Sequence, residues 1–223
     1  MEKNLAVLQK CRLFEDISGP DLESLLNCLP SRQRLFNKNK LILIAGEKVD
    51  SVGIVLSGSV HIVREDFWGK RKLLERTDSG GLFVAAFVCA NVEKLPVSVI
   101  AAEETEVLFI DCKRILNSCS SACVFHTRLI KNLIRLLAEK NIALVQKLEH
   151  ITQPTTRERL LSYLSEQARL AGNSTFSIPF NREELANYLS VERSAMSAEL
   201  SKMQDEGLIL YRKNQFELLS ETF

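Results

Sequence analysis

The sequence predicts an α+β chain made of an N-terminal β-roll, a long dimerisation helix and a C-terminal winged helix-turn-helix. Three observations carry this expectation. Short β-rich runs separated by glycine turns fill residues 34–112, the pattern of a small antiparallel roll. An apolar stripe at steps of three and four then runs over residues 130–151, and two short amphipathic helices around a tight turn occupy 181–204. The predicted divisions are 1–123 for the N-terminal helix and sensor roll, 124–151 for the dimerisation helix and 152–223 for the winged domain.

A chain of 223 residues at 46% apolar composition can bury two modest cores. With 29 basic and 28 acidic residues the net charge is +1, so overall charge favours no class of partner. From Thr152 onward, 8 Lys and Arg face 10 Asp and Glu. That field opposes the approach of nucleic acid, and binding there has to rest on local basic groups. No apolar run approaches the roughly 20 residues of a membrane span, and Met1-Glu2-Lys3-Asn4 has no secretory pattern. The expectation is a cytoplasmic protein with no membrane partner. Six cysteines at that address read as reduced thiols, metal ligands or redox sites before structural disulfides.

In chain order, Leu5 to Cys28 reads as a helical lead-in, with Ser18 as a cap and Asp21 in the first turn. Strands are expected at Leu41–Ile44, Val52–Leu56, Ser59–Val63, Lys72–Glu75, Val97–Ala101 and Glu106–Ile110, with Gly46, Gly58, Gly69, Gly80 and Gly81 between them. Ile130, Ile134, Leu137, Leu144, Leu148 and Ile151 form the long stripe, and Asn141 interrupts it as a polar register marker. A helix packed only on its own domain is the plainer alternative. Gln153-Pro154 ends the stripe and marks the hinge.

Arg157 to Ala171 reads as a helix stopped by Gly172, and Phe176 to Pro179 as a short strand. Asn181 stands three residues before Glu184, a capping pattern, and Leu185, Ala186 and Leu189 mark an inner face. Met196, Leu200 and Met203 do the same for the next helix. Its outward positions are Arg193, Ser194, Ser197, Ala198 and Ser201, side chains suited to base edges in a major groove. Leu208–Tyr211 and Gln215–Leu219 then flank the basic turn Arg212-Lys213-Asn214 as a wing. Arg193 is the candidate for direct readout. Arg182, Lys202, Arg212 and Lys213 are candidates for phosphate, each weighed against an ordinary solvated surface charge.

Leu185-Ala186, Val191, Arg193 to Ser197, Glu199-Leu200 and Glu206 to Ile209 resemble the DNA-binding domain of the Crp/Fnr transcription regulators, and most closely their uncharacterised clostridial-type members. Gly46-Glu47 and Leu56-Ser57-Gly58 are similar to turns of the cyclic-nucleotide-binding β-roll that precedes it in that family. The resemblance implies a homodimer on a palindromic double-stranded DNA site, RNA polymerase as a further candidate partner, and a small-molecule effector at the junction of roll and helix. Two departures stand out. Ser194 takes a position where well-known members carry glutamate and Ala198 one where they carry arginine, so their operators do not transfer.

In members that bind cyclic nucleotides, a glutamate holds the ribose and an Arg-Ser pair the phosphate. Here Ala85 and Leu95-Pro96 fall at those positions, and cAMP is not the expected effector. The region around Phe83, Ala85, Ala86, Phe87, Val88, Leu95, Pro96, Val97, Val99 and Ile100 is apolar. It is a candidate effector pocket, weighed against simple core.

Cys119, Cys123 and His126 recur at four and three residues, with Cys112 upstream. They are candidates for zinc, an iron-sulfur cluster or an oxidation switch. The alternative is small apolar packing, with His126 satisfied by a backbone group. Only His61, His126 and His150 are present and no nucleophile motif accompanies them, so an enzyme is not expected. An interaction protein with degenerate DNA binding is the remaining alternative.

Overall fold

A computed structural model of the chain describes residues 2–69, 71–116 and 124–219. Its internal contacts divide it into two compact units, Met1–Glu139 and Lys140–Phe223.

The first unit opens with helices α1 (Glu2–Lys10) and α2 (Gly19–Cys28), joined through a 3₁₀ turn at Arg12–Phe14. Ser18 stands at the start of α2, but its hydroxyl binds the Asp21 carboxylate instead of a backbone N–H. Eight strands follow: β1 (Ser31–Phe36), β2 (Leu41–Leu43), β3 (Ser51–Ser57), β4 (Ser59–Glu65), β5 (Arg71–Asp78), β6 (Leu82–Phe83), β7 (Ser98–Ala101) and β8 (Thr105–Asp111), with the short helix α3 (Ala85–Cys89) between β6 and β7. They pair antiparallel in two four-stranded sheets, β1-β8-β3-β6 and β2-β7-β4-β5. Three strands differ from expectation by more than two residues; one of them, β6, is a two-residue pairing with no predicted counterpart. β1 was not foreseen, because Ser31-Arg32-Gln33-Arg34 is exposed at every position and offers no alternation. β5 extends past the predicted Lys72–Glu75 at both ends.

The sheets close over Val52, Ile54, Val60, Val99, Val107 and Ile110, joined in one core by Leu13, Phe14, Leu22 and Leu25 of the helical lead-in. Gly58 makes the single-residue corner between β3 and β4. Its φ is +76°, and a Cβ there would stand 2.3 Å from the Glu104 carbonyl oxygen, so only glycine fits.

Helix α4 (Cys112–Leu116) follows β8, and the long helix α5 (Val124–Ile151) comes after it. The first turns of α5 belong to the first unit. Leu129 and Leu133 are buried in its core, and the buried Asn132 amide donates to the Leu13 and Glu15 carbonyls at 3.1 and 2.8 Å. Ion pairs Arg135–Glu15 and Arg12–Glu139 flank this contact.

The second unit holds α6 (Thr156–Ala171), β9 (Thr175–Ser177), α7 (Arg182–Leu189), α8 (Arg193–Asp205), β10 (Ile209–Arg212) and β11 (Gln215–Leu218). Helix α6 starts with a complete capping box between Thr155 and Glu158 and stops at Gly172 in the left-handed conformation. Its strands form one antiparallel sheet, β10-β11-β9. The core is Leu160, Tyr163 and Leu164 of α6, Leu185 and Leu189 of α7, Met196, Leu200 and Met203 of α8, and Ile209 and Phe216 of the wing. Among the described residues no helix is long and apolar enough to cross a membrane.

Candidate nucleic-acid interface and effector segment

Helices α7 and α8 build the candidate interface. The Asn181 side chain accepts from the Glu183 and Glu184 amides at 2.9 and 3.0 Å, and the Glu184 carboxylate accepts from the Asn181 amide at 2.8 Å, a full capping box. Helix α7 ends at Ser190, whose φ of +54° reverses the chain toward α8. Glu192 caps α8, its carboxylate accepting from the Ser194 hydroxyl at 2.8 Å and the Ser194 amide at 3.0 Å. Those two bonds hold its carboxyl below the usual range. Sequence reasoning missed Glu192, since glutamate is not among the favoured capping residues.

On α8, Met196, Leu200 and Met203 are buried, while Arg193, Ser194, Ala198, Ser201 and Lys202 are exposed and Ser197 is half-buried. The Ser197 hydroxyl donates to the Arg193 carbonyl at 2.9 Å and that of Ser201 to the Ser197 carbonyl at 3.2 Å. With Ser194 donating to Glu192, all three hydroxyl protons are engaged within the protein, and what the serines keep is acceptor capacity. The exposed face is therefore a row of acceptors with one fork-shaped donor, Arg193, at its N-terminal end.

Arg212 closes β10, and Lys213 with Asn214 makes the turn of the wing. Arg212 and Lys213 are exposed, and the Asn214 amide fastens the turn by donating to the Ile178 carbonyl at 3.2 Å. Arg182 stands differently from a surface cation. It is half-buried, its guanidinium 4.7 Å from the Tyr211 ring centre and 5.2 Å from that of Phe216, and burial lowers its pKa. A stacked guanidinium still carries N–H donors in its own plane.

Two more arginines went unread in the sequence because their partners are distant in the chain. Arg157 pairs with Glu199 at 3.6 Å and with Glu206, tying α6 to both ends of the last turns of α8. Arg159 donates from Nε to the Gln153 carbonyl at 2.8 Å and from Nη1 to the Leu189 and Ser190 carbonyls at 3.3 and 3.1 Å.

The stripe on α5 has two fates. Ile130 and Leu137 are half-buried, whereas Ile134 is 60% exposed and Leu144 and Leu148 are each 54% exposed. Asn141 is exposed between them. The aliphatic positions of α5 that are fully buried within the chain are Leu129 and Leu133, beside the predicted seam.

In the effector segment, β6 lies on β3 with Phe83 opposite Gly53. The Phe83 ring fills the space a Cβ at Gly53 would need, 2.1 Å from it. Phe83, Ala85, Val88, Leu95, Val97 and Val99 are all part of the core of the unit. Phe87 is half-buried, as is Ile100, and Ala86 and Pro96 are exposed. Six of the ten candidate pocket residues thus pack within the core of the unit. Neither Ala85 nor Leu95 carries a charge or a donor.

Cys119 and Cys123 lie outside the described residues. Among the described residues no group of three His, Cys, Asp or Glu side chains is placed to hold a metal ion. The buried His126 has its Nε2 2.8 Å from the Arg114 carbonyl oxygen. Cys112 meets Cys89, their sulfurs 3.3 Å apart.

A β-roll joined through a long helix to a winged helix-turn-helix defines a sensor-linked DNA-binding protein. A profile described as a cyclic nucleotide-binding domain matches residues 33–121, and one described as a Crp-like helix-turn-helix domain matches residues 158–222. The chain belongs to the Crp/Fnr family of transcription regulators. Among solved structures it is similar to the Thermus thermophilus catabolite activator protein, at 22% identity over 93% of both chains with a TM-score of 0.55. The c-di-GMP-responsive global regulator CLP of Xanthomonas campestris is 18% identical over 91% of this chain and 100% of its own, with a TM-score of 0.55. The sensor domain of the regulator DNR from Pseudomonas aeruginosa is 22% identical over 67% of this chain and 94% of its own, with a TM-score of 0.50. These likenesses are of fold. No curated protein matches the chain.

Proposed function

We propose that this regulator works as a homodimer that reads a palindromic DNA site through α8 and answers to an effector other than cAMP, acting where the roll meets α5. One observation carries the dimer: Ile134, Leu144 and Leu148 stand more than half exposed along one helix. Large aliphatic side chains repeated at that spacing on a single helix are the seam of a helix pair. Paired helices would set two copies of α8 in successive major grooves, with half-sites about 34 Å apart.

Arg193 is assigned to direct readout of guanine, and Ser194, Ser197 and Ser201 to accepting from base amino groups such as those of adenine or cytosine. Ala198 is assigned to a thymine methyl. Lys202, Arg212, Lys213 and the in-plane donors of Arg182 are assigned to phosphate. RNA polymerase is a further candidate partner.

The case against cAMP rests on chemistry. A cyclic phosphate seated at α3 would meet Ala85 and Leu95 where a charged ligand needs donors and a cation, and an unpaired buried charge is prohibitive. A second reading, a metal or iron-sulfur sensor through Cys119, Cys123, His126 and Cys112, has His126 buried beside α4 in its favour. Metal analysis of anaerobically purified protein distinguishes it.

Sedimentation velocity on the full chain, coupled to selection of bound sequences from random DNA, tests the main reading. A dimer that enriches a two-fold symmetric site is expected, with Leu144→Asp/Leu148→Asp monomeric. A wild-type monomer at micromolar concentration, or uniform weak binding with no enriched site, would sink it; the second outcome favours an interaction protein with degenerate DNA binding.

A further inference from the structure

Two thiols in the first unit have no part in the reading of DNA. Cys89 is the last residue of α3 and is half-exposed, and Cys112 is the first residue of α4 and is buried. Twenty-odd residues of chain separate them, yet the fold brings Sγ to Sγ at 3.3 Å. A disulfide bond is about 2.05 Å long, so the sulfurs need to close by only about 1.2 Å to be bonded. Cys11 and Cys28 have no such neighbour among the described residues.

We propose that Cys89 and Cys112 are a redox clasp, forming a reversible disulfide on reaction with a hydroperoxide and fastening the end of α3 to the start of α4. The two thiols have unequal roles. Cys112 is buried against α3, whereas Cys89 lies at the partly open end of that helix. Cys89 is the sulfur that solvent and an oxidant reach, and its thiolate is the attacking form.

In the first step the Cys89 thiolate attacks one oxygen of the hydroperoxide. The O–O bond breaks, Cys89 becomes a sulfenic acid, and the departing oxygen takes a proton as water or alcohol. With the negative charge on Cys89 gone, Cys112 releases its proton and attacks the Cys89 sulfur. The S–S bond forms and hydroxide leaves, taking that proton as water. Two thiols lose two electrons in all, and the peroxide gains them. A dithiol reductant reverses the change by thiol–disulfide exchange.

The place of the clasp gives it leverage. Val84, which starts α3, sits at φ +54°, a conformation that β-branched residues disfavour. Helix α3 is thus held at one end by an unfavourable backbone, and its other end touches the helix that follows β8. A covalent bond there fixes the candidate effector segment to the helix that leads out of the roll.

The test uses the full wild-type chain, reduced and then exposed to hydrogen peroxide, blocked with iodoacetamide, unfolded and digested with trypsin. Cleavage at Arg76, Lys94, Lys113 and Arg114 places Cys89, Cys112 and the Cys119/Cys123 pair on three separate peptides. The expected product is the 77–94 peptide linked to 95–113, lost on treatment with dithiothreitol. Before oxidation, at pH 7.5, Cys89 should alkylate about tenfold faster than Cys112 or more. Cys112→Ser should leave Cys89 as a sulfenic acid that a cyclic diketone traps. The proposal is overturned if both thiols stay free, if Cys112 links instead to Cys119 or Cys123, or if only Cys28-linked species form. None of these readouts depends on DNA binding, so failure here leaves the regulator reading untouched.

Discussion

The two units place their chemistry in opposite directions. Around α3 the first unit turns apolar side chains inward, with Phe83, Ala85 and Leu95 within its own core. The second unit buries Met196, Leu200 and Met203 and leaves Arg193, Ser194 and Ser201 on the surface, the two serines donating their hydroxyl protons within the protein and keeping acceptor capacity. A recognition surface can diverge residue by residue without disturbing a core. A ligand segment built into the packing cannot, so the two units differ in how far sequence change alters function.

The largest effect should come from Phe83→Ala. If α3 belongs to the core, losing a ring packed on Gly53 and edge-on to Phe109 costs about 3–5 kcal/mol of stability, read by chemical denaturation. A cost below about 1 kcal/mol would mark the segment as a ligand pocket that tolerates space, and the contrast would fail. Next, Arg193→Ala should weaken binding to the selected site by about 1–3 kcal/mol, with little change on random DNA. Equal loss on both would move Arg193 from base to phosphate. Asn181→Ala removes the cap of α7 and should cost about 1 kcal/mol in unfolding, with melting lowered accordingly.

The smallest effect is one of pH. His150 is buried against Tyr163 and Tyr188, 2.9 Å from the Ser162 hydroxyl, and burial lowers its pKa against the opposing pull of Glu166 and Glu149. The unfolded chain therefore binds this proton more readily than the folded one. Its stabilising contribution is complete above about pH 6.5, the ordinary histidine value, and is lost as pH falls below it. Melting of the second unit should drop between pH 7.5 and 5.5, and His150→Gln should flatten the slope.

The sequence was most legible where one local rule decided the outcome. The Asn181 and Glu184 capping pair, Gly172 as a helix stop and the Met196, Leu200, Met203 face are each readable within a few residues, and each is present. Strand β1 was hidden because its partner β8, and not its own pattern, makes it a strand. On α5 the spacing identifies the stripe, yet cannot tell a seam facing another chain from one facing its own core, since Leu129 and Leu133 are as apolar as Ile134. The Cys89–Cys112 contact and the bonds of Arg157 and Arg159 join residues far apart in the chain, where no spacing rule applies.

Arg159 holds the Gln153 carbonyl with one nitrogen and the two carbonyls at the end of α7 with another. The segment by which the chain enters the winged unit and the bend before its reading helix are thereby clamped to a single planar group. Any pivot upstream of Gln153 must carry that bend along undiminished, as a wrench carries the bolt head it grips.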